Sequence, residues 1–164
     1  MITFEFAKQE HLAEIVSTYN ASIPGKLATA DLSYVTLESK QKWFDEHTDE
    51  KRPLWVISYN NNYAGWMSFS NFYGRPAYDI TAELSIYLEP EMQGKGIGKT
   101  ALQFAEKEAT KRNISTLLAF IFGHNETSLY LFYKQHYQKW GNLPQVANID
   151  GVLRDLVIVG KKIH

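Results

Sequence analysis

The chain has 164 residues, of which 45% are hydrophobic, and a net charge of −1 at pH 7. This length suits one domain over residues 1–164, and the near-neutral charge favours neither nucleic acid nor an anionic membrane surface as a partner. Cysteine is absent, which excludes disulfides, thiolate zinc sites and a cysteine acyl-enzyme. We expect no membrane span, because no run of ~18 apolar residues occurs. The N-terminal pattern is that of a strand and not of a secretion signal, so a cytoplasmic location is expected.

Hydrophobic periodicity assigns most of the chain to helices and strands. In chain order it predicts a strand over 2–6, helices over 9–22 and 37–47, strands over 54–59, 63–70 and 82–88, a helix over 99–112, a strand over 116–122, a helix over 126–135 and a final strand over 152–161. Two longer loops are expected, one over 23–36 and an aromatic one over 71–79. The predicted order is β-α-α-β-β-β-α-β-α-β-β. It contains seven strands, whereas the pattern assigns residues to only six of them. It indicates a mixed sheet with helices on its faces.

The glycine-rich segment after the strand at 82–88 is the strongest functional signal in the chain. Gly94, Gly96 and Gly98 leave backbone N–H groups accessible just before a helix. A helix N-terminus adds unpaired N–H groups and a partial positive charge. The segment therefore predicts a phosphate or pyrophosphate site, beside which the side chains of Lys95 and Lys99 add positive charge.

Three kinds of phosphate loop can be compared with this segment. A Walker loop requires G-x-x-x-x-G-K-[ST], and Gln93 stands where its first glycine should be. A dinucleotide fingerprint requires G-x-G-x-x-G, and here the third glycine comes one residue too early. The pattern Q/R-x-x-G-x-G/A fits, with Gln93, Gly96 and Gly98 at its fixed positions. In this it resembles the acetyl-CoA pyrophosphate loop of the GNAT N-acetyltransferase superfamily; the alternative is a glycine-rich turn that only caps a helix.

Glu83 is the candidate general base for transfer to an amine, because the incoming amine is mostly protonated and must lose a proton. On an extended strand Glu83, Ser85 and Tyr87 share one face, and the residues between them face the other way. A carboxylate partly buried beside aromatic side chains would have a raised pKa suited to this task. A solvent-facing carboxylate without a catalytic role remains the alternative.

Two further residues are candidates for ligand contacts. Arg75, in the aromatic loop, could bind a substrate carboxylate; the alternative is a surface arginine at a turn before Pro76. Asn125 suits the N-cap of the helix at 126–135, a role that leaves room for a contact to a cofactor amide. We expect no metal site, because the histidines show no grouping typical of metal ligands.

Over nearly its full length the chain resembles the phosphinothricin N-acetyltransferase-like branch of the GNAT proteins. Residues 81–88, Thr-Ala-Glu-Leu-Ser-Ile-Tyr-Leu, are similar to the T-V-E-H-S-V-Y-V strand of that branch. Shorter similarities lie at Tyr19-Asn20, at Trp43-Phe44 and at the N-x-x-S pattern of residues 125–128. The resemblance implies an α/β (α+β) GNAT acyl-CoA N-acyltransferase fold with a mostly antiparallel seven-stranded sheet and four helices on both faces. It also implies acetyl-CoA as cofactor, a small-molecule amine acceptor, direct transfer and a homodimer.

The same resemblance implies roles for individual residues. The cofactor would contact Ile86, Tyr87, Leu88, Gln93, Gly94, Lys95, Gly96, Ile97, Gly98, Lys99 and Asn125. The acceptor, an amino acid analogue such as phosphinothricin, methionine sulfoximine or methionine sulfone, would contact Tyr73, Gly74, Arg75, Glu83, Leu84 and Ser85. Glu83 would be the base, acting through water.

The chain departs from the family at three positions. Phe132 stands where many GNAT enzymes have a tyrosine that protonates the leaving thiolate, so Tyr130, Tyr133, water or nothing must take this role. His136 replaces a glycine after the helix, and Leu84 replaces a histidine beside the base. Other amines (polyamines, aminoglycosides, protein N-termini) and a CoA-binding regulatory module without catalysis remain alternatives.

Overall fold

Seven strands and four helices make up the computed structural model, which describes residues 1–164. The strands are β1 Ile2–Phe6, β2 Leu54–Tyr59, β3 Asn62–Asn71, β4 Thr81–Leu88, β5 Thr116–Phe122, β6 Gln138–Ile149 and β7 Val152–Lys162. The helices are α1 Leu12–Ser22, α2 Leu37–Asp45, α3 Ile97–Lys111 and α4 Glu126–Lys134. One sheet holds all strands in the order β1-β2-β3-β4-β5-β7-β6, and only the β4–β5 pair is parallel. The expected mostly antiparallel sheet is confirmed.

Each face of the sheet is covered by two helices, which gives the molecule two apolar layers. The larger layer lies under α3 and α4 and contains the predicted inner side of α3, namely Ala101, Leu102, Ala105 and Ala109. The smaller layer lies under α1 and α2, where Ile15 packs with Leu54, Val56 and Trp66. None of the four helices is long and apolar enough to cross a membrane.

Local chemistry explains where the helix boundaries differ from the predicted ones. The first turn before α1 is a short 3₁₀ segment, Gln9–His11. Thr36 starts α2 by accepting a 3.1 Å hydrogen bond from the Ser39 N–H, as a capping threonine does. Helix α3 begins at Ile97, two residues earlier than predicted, because Gly96 adopts φ +78° and turns the chain directly into the helix.

Strand β6 is the strand that the sequence pattern left without residues. Its pairing with β7 is interrupted twice, between Lys139 and Gly141 and between Leu143 and Ala147. Each irregularity shifts the alternation of side chains, and most of the strand is exposed. A regular period of two is therefore absent from its sequence.

The sheet opens between its two parallel strands, and this opening positions the candidate site. The β4–β5 pairing ends at Glu83 and Leu118. Beyond it β4 continues from Leu84 to Leu88 without a strand on that side, while β5 stays paired with β7 up to Phe122. The two strands thus diverge towards the end at which β4 leads into the glycine-rich segment.

Candidate active site

The glycine-rich segment presents a row of free backbone donors. After β4 and a 3₁₀ turn at Pro90–Met92, Gly94 and Gly96 adopt left-handed φ values of 76° and 78°. No backbone N–H of residues 94–99 donates to another group of the protein. Donors of this kind at a helix N-terminus, with its partial positive charge, suit a phosphate group. The geometry therefore fits the pyrophosphate of acetyl-CoA.

Two lysines beside these donors lack acidic partners. The Lys95 ammonium lies 5.7 Å from the centre of the Tyr59 ring, and neither Lys95 nor Lys99 forms an ion pair. Their charges are therefore free to attract an anion.

At Gly98 it is the packing of a neighbouring helix, and not the backbone conformation, that requires glycine. A Cβ there would lie 2.7 Å from Cδ2 of Leu131 in α4, a distance well inside van der Waals contact. The missing side chain lets the first turn of α3 pack closely against α4. Gly98 therefore serves the packing of the two helices, in addition to any contact with phosphate.

A small pocket lies on the other side of β4, between the sheet and the helices α1 and α2. Its volume is about 180 Å³, and its lining consists of Ile15, Val16, Tyr19, Lys40, Trp43, Trp66, Ser68, Ser70, Glu83, Ser85 and Tyr87. The expected common face of Glu83, Ser85 and Tyr87 is confirmed, because all three line this pocket. Strand β4 thus borders both the pocket and the opening in the sheet.

Glu83 is the acidic side chain of this pocket, and it has no partner in the protein. Its carboxylate makes no hydrogen bond and no ion pair with another side chain or with the backbone. Burial raises the pKa of Glu83 above its ordinary value, because a partly desolvated carboxylate holds its proton more tightly. Such a group is well suited to accept a proton from a bound ammonium.

Two tyrosines of the pocket hold the loop between α1 and α2 in place. The Tyr87 hydroxyl donates to the Ala28 carbonyl at 2.9 Å. The Tyr19 hydroxyl donates to the Asp31 carboxylate and lies within hydrogen-bonding distance of the Thr29 hydroxyl. Burial raises the pKa of Tyr87 to about 12, so this hydroxyl stays protonated and keeps its donor role at neutral pH.

Asn125 lies at the start of α4, and both ends of its amide have protein partners. Its oxygen accepts the Ser128 N–H at 3.2 Å, which confirms the expected N-cap, and its nitrogen donates to the Leu27 carbonyl at 3.2 Å. Beside it, His124 Nε2 donates to the Lys26 carbonyl at 2.8 Å. The start of α4 therefore anchors the α1–α2 loop at Lys26 and Leu27, next to the Ala28 carbonyl that Tyr87 holds.

Several of the predicted site residues do not reach the pocket. Tyr73 is 68% exposed and packs against neighbouring aromatic rings of its own loop. Gly74 and Arg75 lie on the same exposed loop, and none of the three lines the pocket. Leu84 is buried in the larger apolar layer, on the opposite face of β4. The structure does not bring these side chains together with Glu83.

The acid position of α4 is occupied by a core residue. Phe132 is buried, and its ring packs edge-to-face on Tyr137 at 4.9 Å. Tyr130 and Tyr133 are 64% and 41% exposed, and neither lines the pocket. This geometry gives no hydroxyl of α4 a place beside Glu83.

No motif of the sequence singles out Lys40 or Trp66, which both line the pocket. Lys40 lies on α2, and only the packing of that helix on the sheet brings it to the pocket, whereas Trp66 lies on β3, which pairs directly with β4. Trp43 and Tyr19 do belong to short motifs of the sequence, so their place in the pocket had a weak signal.

Comparisons with known proteins agree with this geometry. Residues 13–137 match the model of the Acetyltransferase (GNAT) family. The chain is 45% identical over 163 residues to YwnH of Bacillus subtilis strain 168, which carries the provisional name of a phosphinothricin acetyltransferase; the match covers 99% of both chains. It is 27% identical to an L-methionine sulfoximine/L-methionine sulfone acetyltransferase of Pseudomonas paraeruginosa, over 90% of this chain and 87% of the relative.

A solved structure gives the same result for the fold. The GNAT superfamily phosphinothricin acetyltransferase of Sinorhizobium meliloti, in complex with acetyl-CoA, superposes with a TM-score of 0.91 at 25% identity. The superposition covers 98% of this chain and 88% of that one.

Proposed function

The chain belongs to the GNAT acetyltransferase family, and we propose that residues 1–164 form one acetyltransferase domain that acetylates the amine of a small amino acid analogue. The acceptors proposed are of the phosphinothricin or methionine sulfoximine type, as the names of the relatives indicate. The observation that carries the proposal is the arrangement around β4. Glu83 faces a small pocket on one side of this strand, and the strand runs along an opening into a row of free backbone donors.

Acetyl-CoA supplies the acetyl group as a thioester. The N–H groups of residues 94–99 would hold its pyrophosphate, with Gln93, Lys95 and Lys99 around them. The unpaired edge of β4 at Ile86–Leu88 offers backbone groups to the amide-containing arm, in the manner of an added strand. Asn125 follows β5, the strand across this opening, and we assign it a contact to the arm.

The chemistry assigned to the pocket begins with a proton. Glu83 accepts a proton from the acceptor's ammonium, directly or through water, and leaves a neutral amine. The amine nitrogen then bonds to the acetyl carbon while the carbon–sulfur bond breaks. The nitrogen loses a second proton to solvent as the amide forms, and CoA departs with the sulfur electron pair and gains a proton. No α4 hydroxyl lies at the pocket, so we propose that solvent protonates the thiolate, which is already a fair leaving group near neutral pH.

The size and charge of the pocket favour a small acceptor that carries one positive and one negative charge. A volume of about 180 Å³ is below the usual range for drug-sized ligands, which disfavours an aminoglycoside. Lys40 in the lining disfavours a polyamine, because like charges repel. The partnerless Glu83 argues for catalysis and against a CoA-binding module without activity.

A thiol-release assay tests the function directly. Because the chain contains no cysteine, a thiol reagent detects released CoA without a signal from the protein. The acceptors to compare are L-phosphinothricin, L-methionine sulfoximine, L-methionine sulfone, spermidine, kanamycin and a short peptide with a free N-terminus. We expect release with one or more of the first three and little with the others. Release with spermidine, kanamycin or the peptide alone would refute the acceptor class, and no release at all would refute catalysis.

We also propose that the enzyme is a homodimer that works in the cytoplasm, where acetyl-CoA is available. Support for the dimer comes from large apolar side chains exposed by 41–58% on β6 and the start of β7: Trp140, Leu143, Val146, Val152 and Leu153. Exposed apolar groups concentrated on one part of a surface are typical of interfaces. Light scattering of the purified protein should give twice the mass of 18.9 kDa, and Val146→Lys should shift it towards the monomer.

A further inference from the structure

Lys40 is the cationic side chain of the pocket that contains Glu83. It lies on α2, and its ammonium is 5.0 Å from the centre of the Tyr19 ring and 5.6 Å from that of Trp43. Both rings also line the pocket. The ammonium therefore lies against aromatic side chains of the pocket, on the side of α2 that faces the sheet.

The charge of Lys40 has no acidic partner in the protein. Lys26, Lys111 and Lys161 each pair with a carboxylate, whereas Lys40 forms no ion pair and no side-chain hydrogen bond, even with Glu83 in the same pocket. Aromatic rings attract a cation but give it no hydrogen-bond acceptor. Lys40 thus retains its full capacity to bind an anion.

A second unsatisfied donor lines the same pocket, on strand β3. Trp66 is 3% exposed, and its indole N–H has no hydrogen-bond partner. Buried donors without partners are rare in folded proteins and call for an explanation. Trp66 belongs to the sheet side of the pocket, because β3 pairs with β4, and the same side carries Glu83 and Ser85. The pocket thus offers an anion the Lys40 ammonium and the Trp66 N–H, and it offers an ammonium the Glu83 carboxylate.

We propose that Lys40 binds the carboxylate of the acceptor and so makes the enzyme specific for amino acids over simple amines. The acceptor's ammonium would face Glu83, its carboxylate would face Lys40, and its side chain would lie along Trp43 and Trp66. This inference rests on the proposed function, and it places the carboxylate at Lys40 instead of at the exposed Arg75.

Lys40→Met is the central variant, because methionine keeps an apolar chain against Tyr19 and Trp43 and removes the charge. Lys40→Arg keeps the charge, and Lys42→Met is a matched control on the exposed side of α2. Thiol release is measured with L-methionine sulfoximine and with its carboxamide, which lacks the negative charge. We expect Lys40→Met to raise the acceptor KM about 10–100-fold for the acid but not for the carboxamide. The KM for acetyl-CoA should stay constant, and Lys40→Arg should recover part of the loss.

Three results would overturn the inference. The first is a rise in KM in Lys40→Met that is equal for the acid and the carboxamide. The second is a rise in KM in Lys40→Met no larger than that in Lys42→Met. The third is a rise in KM selective for the acid that occurs in Arg75→Met and not in Lys40→Met. The first would show a structural role, and the third would assign the carboxylate to the exposed loop.

Binding separates this inference from the proposed function. If the wild type acetylates none of the amino acid analogues, the proposed function fails, and tryptophan fluorescence still tests the role of Lys40. Trp43 and Trp66 both line the pocket, so L-methionine sulfone should change the emission of the wild type saturably and should bind Lys40→Met at least tenfold more weakly. The inference would be overturned if L-methionine sulfone bound the wild type and Lys40→Met equally well, or if it did not change the emission of the wild type.

Discussion

Replacing Glu83 by glutamine separates its chemistry from its packing. The two side chains have the same shape, and the Glu83 carboxylate accepts no hydrogen bond and joins no ion pair in the protein. Glu83→Gln therefore breaks no hydrogen bond or ion pair of the protein and opens no cavity. What it removes is the ability to accept a proton.

The expected loss follows from the role of a general base. Such a group typically contributes ~10²–10⁴-fold in rate, or about 3–5 kcal/mol of activation free energy. Thiol release at saturating acetyl-CoA should show this fall in kcat, while the dissociation constant of acetyl-CoA stays unchanged. Glu50→Gln, an exposed carboxylate on a loop, is the control. A kcat within a few-fold of the wild type at neutral pH would refute the assignment of the base.

The pH dependence gives a second test, because burial raises the pKa of Glu83 above its ordinary value of 4.5. Protonated Glu83 cannot act as a base, so kcat/KM of the wild type should fall on the acid side through this raised pKa. Between 4.5 and the raised pKa the folded protein holds a proton that the unfolded chain has released. The free energy of unfolding therefore falls as pH rises through this window. At neutral pH Glu83→Gln should have a higher Tm than the wild type, and below pH 4.5 the difference should vanish; a lower Tm at neutral pH would contradict the reasoning.

Three further predictions concern the loop, the acid position and the core. Gly96→Ala forces a Cβ onto a residue at φ +78° and should weaken acetyl-CoA binding in calorimetry while the fold survives; an unchanged affinity would remove the loop from the cofactor site. Tyr133→Phe should keep full kcat, and a fall at constant KM for acetyl-CoA would instead identify it as the acid. Glu108→Gln should cost about 1–3 kcal/mol in urea unfolding at pH 7. Burial raises the pKa of Glu108, but hydrogen bonds from Lys111 and Arg112 outweigh this and hold it below its ordinary value. The stability from Glu108 is present above pH 4.5 and lost as pH falls through the lowered pKa, so a cost that persisted at pH 2 would contradict this.

The parts of the site that were predictable are those encoded by neighbouring residues. Alternation along residues 82–88 places Glu83, Ser85 and Tyr87 on one face, and three glycines before a helical pattern identify a phosphate loop. Both signals depend on local backbone geometry, which short segments specify on their own. The anionic side of the pocket was therefore open to prediction from β4 alone.

The opposite wall could not be predicted in this way. Lys40 precedes Glu83 by 43 positions, and only the packing of α2 on the sheet brings the two residues to one cavity. Lysines on helices are usually solvated, so nothing in the sequence separates Lys40 from Lys42. The sequence instead drew attention to Arg75, because its loop comes just before β4, and the structure leaves that loop outside the pocket.

The three glycines show how one motif can join unrelated physical requirements. Gly94 and Gly96 are needed for their left-handed backbone and have open space where a Cβ would stand. Gly98 has ordinary helical geometry, but a Cβ there would collide with Leu131. An alanine at Gly98 would therefore force the Leu131 side chain of α4 to shift and would disturb the packing of α3 on α4. A loss of activity in Gly98→Ala would mix cofactor binding with helix packing, whereas Gly96→Ala reports on the cofactor alone.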